Sequence, residues 1–176
     1  MTGPEIIAIL KEKFADRIKA EQPEALDPFV VIDPADVIEV FTFLRDDPRL
    51  QFDMLNCISG VDYLETEKAK VAKAGFEPHL EVVYHLSSFN KRHRFVVKLI
   101  LPRWKNDQEG QLPEVPTLSK IYAAANWHER ETYDLVGIQF VGHPAQRRIL
   151  LSEDWDGHPL RKDYVFPLEY HGIRGR

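Results

Sequence analysis

Residues 95–101, Phe-Val-Val-Lys-Leu-Ile-Leu, carry the strongest strand signal in the chain. Residues 80–87, Leu-Glu-Val-Val-Tyr-His-Leu-Ser, alternate with the two-residue period of a half-buried strand. The residues between them include Ser-Phe-Asn-Lys at 88–91, a composition typical of a turn. We therefore predict two neighbouring strands, over about residues 80–87 and 94–101, around which the rest of the fold is built.

Further strands and helices are predicted on either side of this pair. An apolar run at 29–32 and a run at 52–63 that is interrupted by a glycine add strands, so the sheet is expected to be mixed. Apolar residues at helical spacing predict helices over about 4–19, 34–46 and 118–136. The fold class is therefore α+β, a mixed β-sheet covered by helices.

Connections and helix ends are marked by polar residues, prolines and glycines. The polar stretch 21–27 and the charged stretch 65–75 are predicted to be loops. Thr117 is expected to cap the third helix, and Gly137 is expected to end it.

The character of the sequence changes at Gly137. Five of the nine glycines fall in the last 40 residues, where periodicity is lost. Apolar and aromatic side chains stay frequent there, unlike in a disordered tail. Such a segment cannot build its own core and needs a surface, either the flank of this domain or another protein. Docking to another protein is favoured. We predict an α+β domain over 1–136 and an extended, non-periodic, partner-docking tail over 137–176.

Composition excludes several classes of protein. A count of 23 Lys+Arg against 28 Asp+Glu, a net charge of −5, argues against a general binder of nucleic acid or anionic membranes. The single Cys57 excludes an internal disulfide framework and an iron–sulfur cluster held by this chain's own thiolates. Its apolar neighbours indicate a buried, inert thiol. No apolar run approaches a membrane span, and the N-terminus lacks signal-peptide features, so a soluble, unprocessed chain is expected.

Signatures of nucleotide binding and hydrolysis are missing. The sequence has no Gly-x-Gly-x-x-Gly, P-loop, Cys-x-x-Cys or Gly-x-Ser-x-Gly pattern. His128 begins like a zinc-protease helix, but Thr132 stands where the second histidine is needed. A metal hydrolase would have to use His143, His158, Asp154 and Asp156. Their spacing does not bring them together, so hydrogen bonds within turns are the favoured role of the two histidines.

A basic stretch at 91–105 provides an alternative function. Its six cationic residues, with no acid among them, are Lys91, Arg92, Arg94, Lys98, Arg103 and Lys105. Phe89, Phe95 and Trp104 are interleaved, a pattern typical of strand faces that bind nucleic acid. A solvated hairpin, or a patch that faces an acidic partner protein, explains the same residues. A stand-alone RNA-binding domain is therefore kept as the alternative.

The densest charge cluster on a predicted helix is formed by Glu129, Arg130, Glu131 and Asp134. Arg130 and Asp134 are four residues apart and can pair on one face. Glu131 and Asp134 are three apart, so the two carboxylates need a cation from elsewhere. Either a helix with surface salt bridges or a charged docking face accounts for the pattern.

The C-terminal third resembles a known family. Residues 129–136, Glu-Arg-Glu-Thr-Tyr-Asp-Leu-Val, look like the signature of the C-subunit of NADH-quinone oxidoreductase, respiratory complex I. The residues that follow at the family's spacing are His143, Arg147, Ile149 and Leu150. Residues 157–164, Gly-His-Pro-Leu-Arg-Lys-Asp-Tyr, resemble the second hallmark of that family. Two long patterns in register make the resemblance specific.

This resemblance implies a structural subunit in the peripheral arm of a proton-translocating NADH:quinone oxidoreductase. The resemblance implies that such a chain has no catalytic residue, cofactor or metal of its own. It also implies that the tail lies along the D-subunit, the quinone-site subunit of the complex. NADH, FMN, the iron–sulfur clusters and quinone belong to partner subunits. The implied location is the cytoplasmic side of the bacterial inner membrane, as a peripheral protein. The equivalent subunit of a hydrogenase or plastid dehydrogenase related to complex I stays open.

Partner contacts are expected from the two motifs and from the aromatic residues of the tail. The candidates are Glu129, Arg130, Glu131, Asp134, His143, Arg147, Trp155, His158, Leu160, Arg161, Lys162 and Tyr164. The expected apolar anchors are Ile149, Leu150, Trp155, Leu160, Tyr164 and Phe166. Arg147, Arg161 and Lys162 are expected to meet carboxylates or carbonyls of the partner.

Overall fold

A five-stranded mixed sheet forms the centre of the computed structural model, which describes residues 1–71 and 73–174. Its strands are β1 (Ile18–Gln22), β2 (Phe29–Ile32), β3 (Met54–Tyr63), β4 (His79–Ser88) and β5 (His93–Leu101), in the order β1-β2-β5-β4-β3. The β2–β5 pair is parallel, and the other neighbours are antiparallel. The predicted α+β class is confirmed.

The β4–β5 pair shows why alternation identified the sheet. Leu80, Val82, Tyr84 and Leu86 are opposite Leu101, Leu99, Val97 and Phe95, and all eight are buried. Because successive side chains of a strand point to opposite faces, these residues share the face on which the helices pack. The hydrophobic core therefore lies on one side of the sheet.

Helices α1 (Gly3–Phe14) and α2 (Val37–Asp46) contribute to this core. The α2 helix follows a single 3₁₀ turn, Pro34–Asp36, at the start of the predicted range 34–46. The first helix is shorter than the predicted range 4–19. It ends at Phe14, and after one 3₁₀ turn Ile18 begins edge strand β1, where the sequence predicts helix and loop.

The third predicted helix, 118–136, is also too long at its start. Helix α4 spans Ala125–Val136, and a series of turns precedes it. Leu118 and Tyr122 are buried with helical spacing, but turns place them in the core equally well. The Thr117 hydroxyl accepts from the Ser119 amide at 3.1 Å and donates to the carboxylate of Glu129, but it caps no helix because α4 begins only at Ala125.

The core continues beyond the predicted boundary at residue 136. Strands β6 (Glu114–Pro116) and β7 (Gln139–Val141) pair in parallel, and neither was expected from the sequence. Ile138 and Phe140 pack in the same core as α4. The division of the chain at 136/137 remains a prediction, but residues up to Phe140 share the core of the first part.

The remaining elements are short. Helix α3 (Lys68–Val71) lies in the charged connection 65–75, of which residue 72 is outside the described residues. The C-terminal segment, defined as residues 143–174, contains only strands β8 (Glu169–Tyr170) and β9 (Ile173–Arg174) as regular structure. Over the described ranges, no helix has the length and apolarity needed to cross a bilayer.

Candidate partner-docking site

The C-terminal segment is attached to the end of helix α4. The last carbonyls of a helix have no partner within the helix and must find donors elsewhere. Here the carbonyl of Asp134 accepts from Arg148 Nη1 and His158 Nδ1, each at 3.0 Å, and the carbonyl of Leu135 accepts from the Leu160 amide at 2.9 Å. The segment therefore caps the helix.

Arg161 completes this cap. Its guanidinium donates to the carbonyls of Val136 (2.8 Å), Gly137 (3.1 Å) and Arg103 (3.1 Å), and it lies 3.8 Å from the ring centroid of Trp104. Burial lowers the pKa of Arg161 to about 10, which leaves the side chain protonated at neutral pH. All of its polar contacts above lie within the chain, and its expected contact to partner carbonyls remains a prediction.

Asp134 is a second fixed point. Its Oδ2 accepts from the amides of Ile149 (2.9 Å), Leu150 (2.8 Å) and Leu151 (3.0 Å), and its Oδ1 accepts from Arg148 at 2.8 Å. Burial raises the pKa of this fully buried carboxyl, but the bonds from Arg148 and the three amides outweigh that effect. The pKa is therefore held below its usual value.

Arg148 extends the same contact further along the segment. Its Nη2 donates to the carbonyls of Trp155 and Gly157, both at 2.9 Å, while Nη1 holds Asp134. The guanidinium has a fork of donors that suits several oxygens at once. One ion pair therefore fixes backbone groups from residue 149 to residue 157.

A close approach explains the glycine at the helix end. Gly137 has φ +76°, and a Cβ there would lie 2.4 Å from Cδ2 of His158. The left-handed conformation and the contact both favour glycine. The His158 Nδ1 must carry the proton that it donates to the Asp134 carbonyl, and burial lowers the pKa of this ring.

A charged triad forms a further link between the segment and the sheet. Arg103 donates two bonds to the buried Asp62, both at 2.8 Å, and two to Asp163, at 2.9 and 2.8 Å. The Lys162 amide also donates to Asp62, at 2.9 Å. Hydrogen bonds from Arg103 lower the pKa of Asp163. This link joins β3, the end of β5 and the second motif.

Glu129 lies further toward the start of α4, with a side chain that is fully buried. It accepts from the Leu118 amide at 2.6 Å and from Thr117 Oγ1, and His143 Nε2 lies 4.0 Å away. Burial raises the pKa of Glu129 to about 7, and the two hydrogen bonds offset only part of that rise. His143 donates from Nε2 to the carbonyl of Asn126 at 3.1 Å.

The other charges of the first motif face different surroundings. Arg130 donates to the carbonyl of Arg147 at 3.3 Å and lies 4.8 Å from the ring centroid of Trp127. The predicted Arg130–Asp134 pair is not formed, because Asp134 is occupied by Arg148. Glu131 and the Arg147 side chain are exposed.

An aromatic group stabilises the far part of the segment. Trp155 Nε1 donates to the Tyr164 hydroxyl at 2.9 Å, and the rings of Phe166 and Tyr170 lie 5.6 and 4.9 Å from that of Trp155. Tyr164 closes against Gly157, where a Cβ would lie 2.9 Å from the ring. Trp155 and Tyr164 are thus half-buried by the segment itself.

Large apolar side chains on the segment are left exposed. They are Leu150, Leu160, Val165, Phe166, Leu168 and Ile173. Leu160 is 57% exposed although its amide caps α4, and Leu150 is 63% exposed although its amide binds Asp134. Backbone and polar groups are therefore held inward while apolar side chains face outward, the composition expected of a docking surface.

Of the predicted contact residues, the structure brings seven together around α4. Glu129, Arg130, Asp134, His143, His158, Leu160 and Arg161 all contact this helix, its flanks or its end. Glu131, Arg147, Leu160 and Lys162 have exposed side chains. Their assignment as partner contacts remains a prediction. The sequence analysis did not identify the structural roles of Asp62, Arg103 and Arg148. Arg147 and Arg148 are adjacent, and the sequence does not show which of the two is buried.

The basic stretch does not form one face. Arg103 is paired with Asp62, Lys98 with Glu81 at 3.2 Å, and Lys105 with Glu114 at 2.7 Å. The aromatic residues separate as well, since Phe95 lies in the core, Trp104 is stacked on Arg161 and Phe89 is exposed. The described residues contain no group of three or more His, Cys, Asp or Glu that could hold an ion.

Comparisons with known proteins identify relatives over most of the chain. The family model "Respiratory-chain NADH dehydrogenase, 30 Kd subunit" matches residues 30–170. The NADH-quinone oxidoreductase C-subunit of Roseiflexus castenholzii is 41% identical over 169 residues, which cover 96% of this chain and 87% of that protein. The counterpart from Roseiflexus sp. (strain RS-1) is 44% identical over 162 residues, 88% of this chain and 83% of that protein.

A solved structure agrees with these matches. The trypsin-resistant fragment of Nqo5 superposes with a TM-score of 0.61 at 29% identity, covering 80% of this chain and 98% of the fragment. Sequence and fold therefore give the same answer, and the motifs that cap helix α4 fall within the matched residues. The chain belongs to the family of the 30 kDa subunit of respiratory-chain NADH dehydrogenase, the NADH-quinone oxidoreductase C-subunit family.

Proposed function

We propose that the chain is a structural subunit of the peripheral arm of proton-translocating NADH:quinone oxidoreductase and docks on the quinone-site subunit. The proposed contact is the outward surface of the C-terminal segment. One observation carries the proposal: six large apolar side chains between residues 150 and 173 are exposed, and internal hydrogen bonds hold the backbone of two of them, Leu150 and Leu160. An isolated protein gains nothing from such an arrangement, whereas an interface gains buried apolar area.

The work of the chain is then to bind and orient partners rather than to carry electrons. The buried charged groups described above serve internal contacts: Arg148 and Arg161 cap α4, and Glu129 anchors the Thr117–Leu118 turn. With one cysteine, the chain cannot supply the thiolates of an iron–sulfur cluster. We propose that NADH, FMN, the clusters and quinone bind partner subunits, and that the chain lies on the cytoplasmic side of the bacterial inner membrane.

Capture of the quinone-site subunit by the full chain tests this proposal. Leu160→Ser and Phe166→Ser should each weaken capture at least tenfold, because central apolar anchors carry about 2 kcal/mol or more. Phe89→Ser is the matched control, since Phe89 is 72% exposed but lies on the β4–β5 turn. Equal capture by all four proteins would contradict docking through the segment. Capture of a hydrogenase-type partner instead of the quinone-reducing one would correct the host complex.

A further inference from the structure

The outward surface of the C-terminal segment is held by a pair of buried side chains, Asp134 and Arg148, that lie beneath it. The Asp134 carboxylate binds the amides of residues 149–151, and Arg148 binds both that carboxylate and the carbonyls of Trp155 and Gly157. The Asp134 side chain is fully buried and that of Arg148 is 12% exposed. Neither is placed to make a large contact with a partner.

The held backbone and the exposed side chains belong to the same residues. The amide of Leu150 bonds Asp134 while its side chain is exposed, and the carbonyl of Trp155 bonds Arg148 while its ring supports Phe166. The positions of Leu150 and Trp155 therefore depend on bonds to the pair. Hydrogen bonds to an ionised group are about twice as strong as neutral ones, so several on one pair make a firm attachment.

We propose that Asp134 and Arg148 are positioning residues that set residues 149–160 in their docking shape before the partner is bound. This inference rests on the proposed function, in which that surface docks on the quinone-site subunit. Without the pair, the segment would have to be ordered during docking, and the ordering cost would be subtracted from the affinity. With the pair, the folded chain meets that cost before it binds.

The affinity of the chain for the quinone-site subunit should depend on the fraction of free chains whose segment is already ordered. When only a fraction of molecules has the competent shape, the apparent dissociation constant rises by the inverse of that fraction. Hydrogen exchange at the amides of residues 149–151 reports the same fraction in the free chain. The loss of affinity should therefore match the loss of order. A residue that touched the partner directly would weaken docking without changing exchange in the free chain.

The experiment uses the full chain and the quinone-site subunit. Asp134→Asn removes the negative charge, and its side-chain NH₂ group cannot accept hydrogen bonds from the Arg148 guanidinium or the three amides. Arg148→Lys keeps the positive charge, but one ammonium group cannot reach all four oxygens that Arg148 binds, two on Asp134 and the carbonyls of Trp155 and Gly157. Both should lose at least tenfold of the exchange protection at residues 149–151 and a matching factor in affinity for the quinone-site subunit. Arg147→Gln is the matched control for exchange, since Arg147 is adjacent and its side chain is exposed.

Each result decides the proposal. Lost protection with unchanged affinity, or unchanged protection in both variants, would overturn the positioning role while leaving docking intact. If Asp134→Asn does not fold, Arg148→Lys decides alone, because it keeps one charge of each sign in the buried pair and removes only the bonds of the guanidinium fork. Leu160→Ser separates the two proposals: if it binds the quinone-site subunit like the unmodified chain, docking itself fails, whereas weaker binding with normal exchange supports docking whatever the positioning variants show.

Discussion

Helix α4 buries two carboxylates, Glu129 and Asp134, and they are held in opposite ways. Both side chains are fully buried on the same helix. Glu129 receives two hydrogen bonds, from Thr117 and Leu118, and its pKa rises to about 7. Asp134 receives three amide bonds and the Arg148 guanidinium, and its pKa falls below the usual value.

The difference shows that burial alone does not set the charge of a carboxyl group. Desolvation raises both pKa values, and the number and charge of the donors decide the net direction. Glu129 is consequently a group whose ionisation costs free energy near neutral pH. Asp134 is a permanent anion around which positive and polar groups are arranged.

The largest effect is expected from removing the charge of Asp134. Asp134→Asn leaves Arg148 buried without its counter-ion, and breaking a buried pair in this way typically costs about 3–5 kcal/mol. We expect the free energy of unfolding of the full chain to fall by about 3 kcal/mol at pH 7, measured by urea denaturation. Glu129→Gln is the reference, and an equally large loss there would remove the contrast between the two carboxylates.

A smaller effect is expected where His158 packs on the end of α4. Gly137→Ala places a Cβ 2.4 Å from the His158 ring on a backbone with φ +76°, so strain and clash add. We expect a loss of about 2–3 kcal/mol in the same assay. Gly142→Ala is the matched control: φ is +83° there, but its Cβ would meet only an ordinary contact with Thr117 at 3.5 Å. A loss of about 1 kcal/mol at Gly142 isolates the effect of the close approach.

The pH dependence of stability sharpens the comparison further. In the folded chain Glu129 keeps its proton up to about pH 7, whereas the unfolded chain releases it near 4.5. This group's contribution to stability is therefore lost as pH rises through that window, and a glutamine at the same position cannot ionise. We expect the free energy of unfolding of Glu129→Gln, relative to the unmodified chain, to rise by about 2 kcal/mol between pH 5 and pH 7.

Comparing Glu129→Gln with the unmodified chain isolates the titration of Glu129 from that of the buried histidines. Burial lowers the pKa values of His93 and His158, so their contributions to stability rise with pH in both proteins and cancel. Parallel stability curves for the two proteins from pH 4.5 to pH 8 would contradict a raised pKa at Glu129.

The smallest effect is expected at Arg147, the neighbour of the buried arginine. Its side chain is exposed, and substitutions of that kind usually change stability by less than about 0.5 kcal/mol. Arg147→Gln should therefore unfold at the same urea concentration as the unmodified chain, and Arg148→Gln should unfold earlier. A loss at Arg147 as large as at Arg148 would show that the two arginines share the contact to Asp134.

Much of the fold was predictable because burial on one face leaves a period in the sequence. Strands β4 and β5 and helix α2 were predicted within a few residues, since each has a regular apolar face, and β2 was predicted from its short apolar run. Strand β1 was missed because Ile18–Gln22 is a largely exposed edge strand without such a face. Leu118 and Tyr122 caused the opposite error, a predicted helix where none forms. Their spacing is helical, but turns bring both side chains into the core.

The candidate site was predictable only in part. Glu129, Asp134, His158 and Arg161 stood out by type and spacing, but their main partners are backbone amides and carbonyls, which every residue offers. A sequence cannot show which amides a carboxylate will meet 15 to 17 residues later. A sequence likewise cannot show that Arg148 is buried and Arg147 exposed, because this segment has no apolar periodicity from which an inward face could be predicted.

The capping of α4 from residues far downstream has a consequence for synthesis of the chain. Helix α4 leaves the ribosome before the donors that satisfy its last carbonyls, because Arg161 follows Val136 by 25 residues. At about 5–20 residues per second, the helix end is without its partners for one to several seconds. A nascent chain that stops before Arg161 exposes unpaired carbonyls at the end of the helix. We expect the last turn of α4 to fray in such fragments, so the helix reaches its full length only after the second motif has been made.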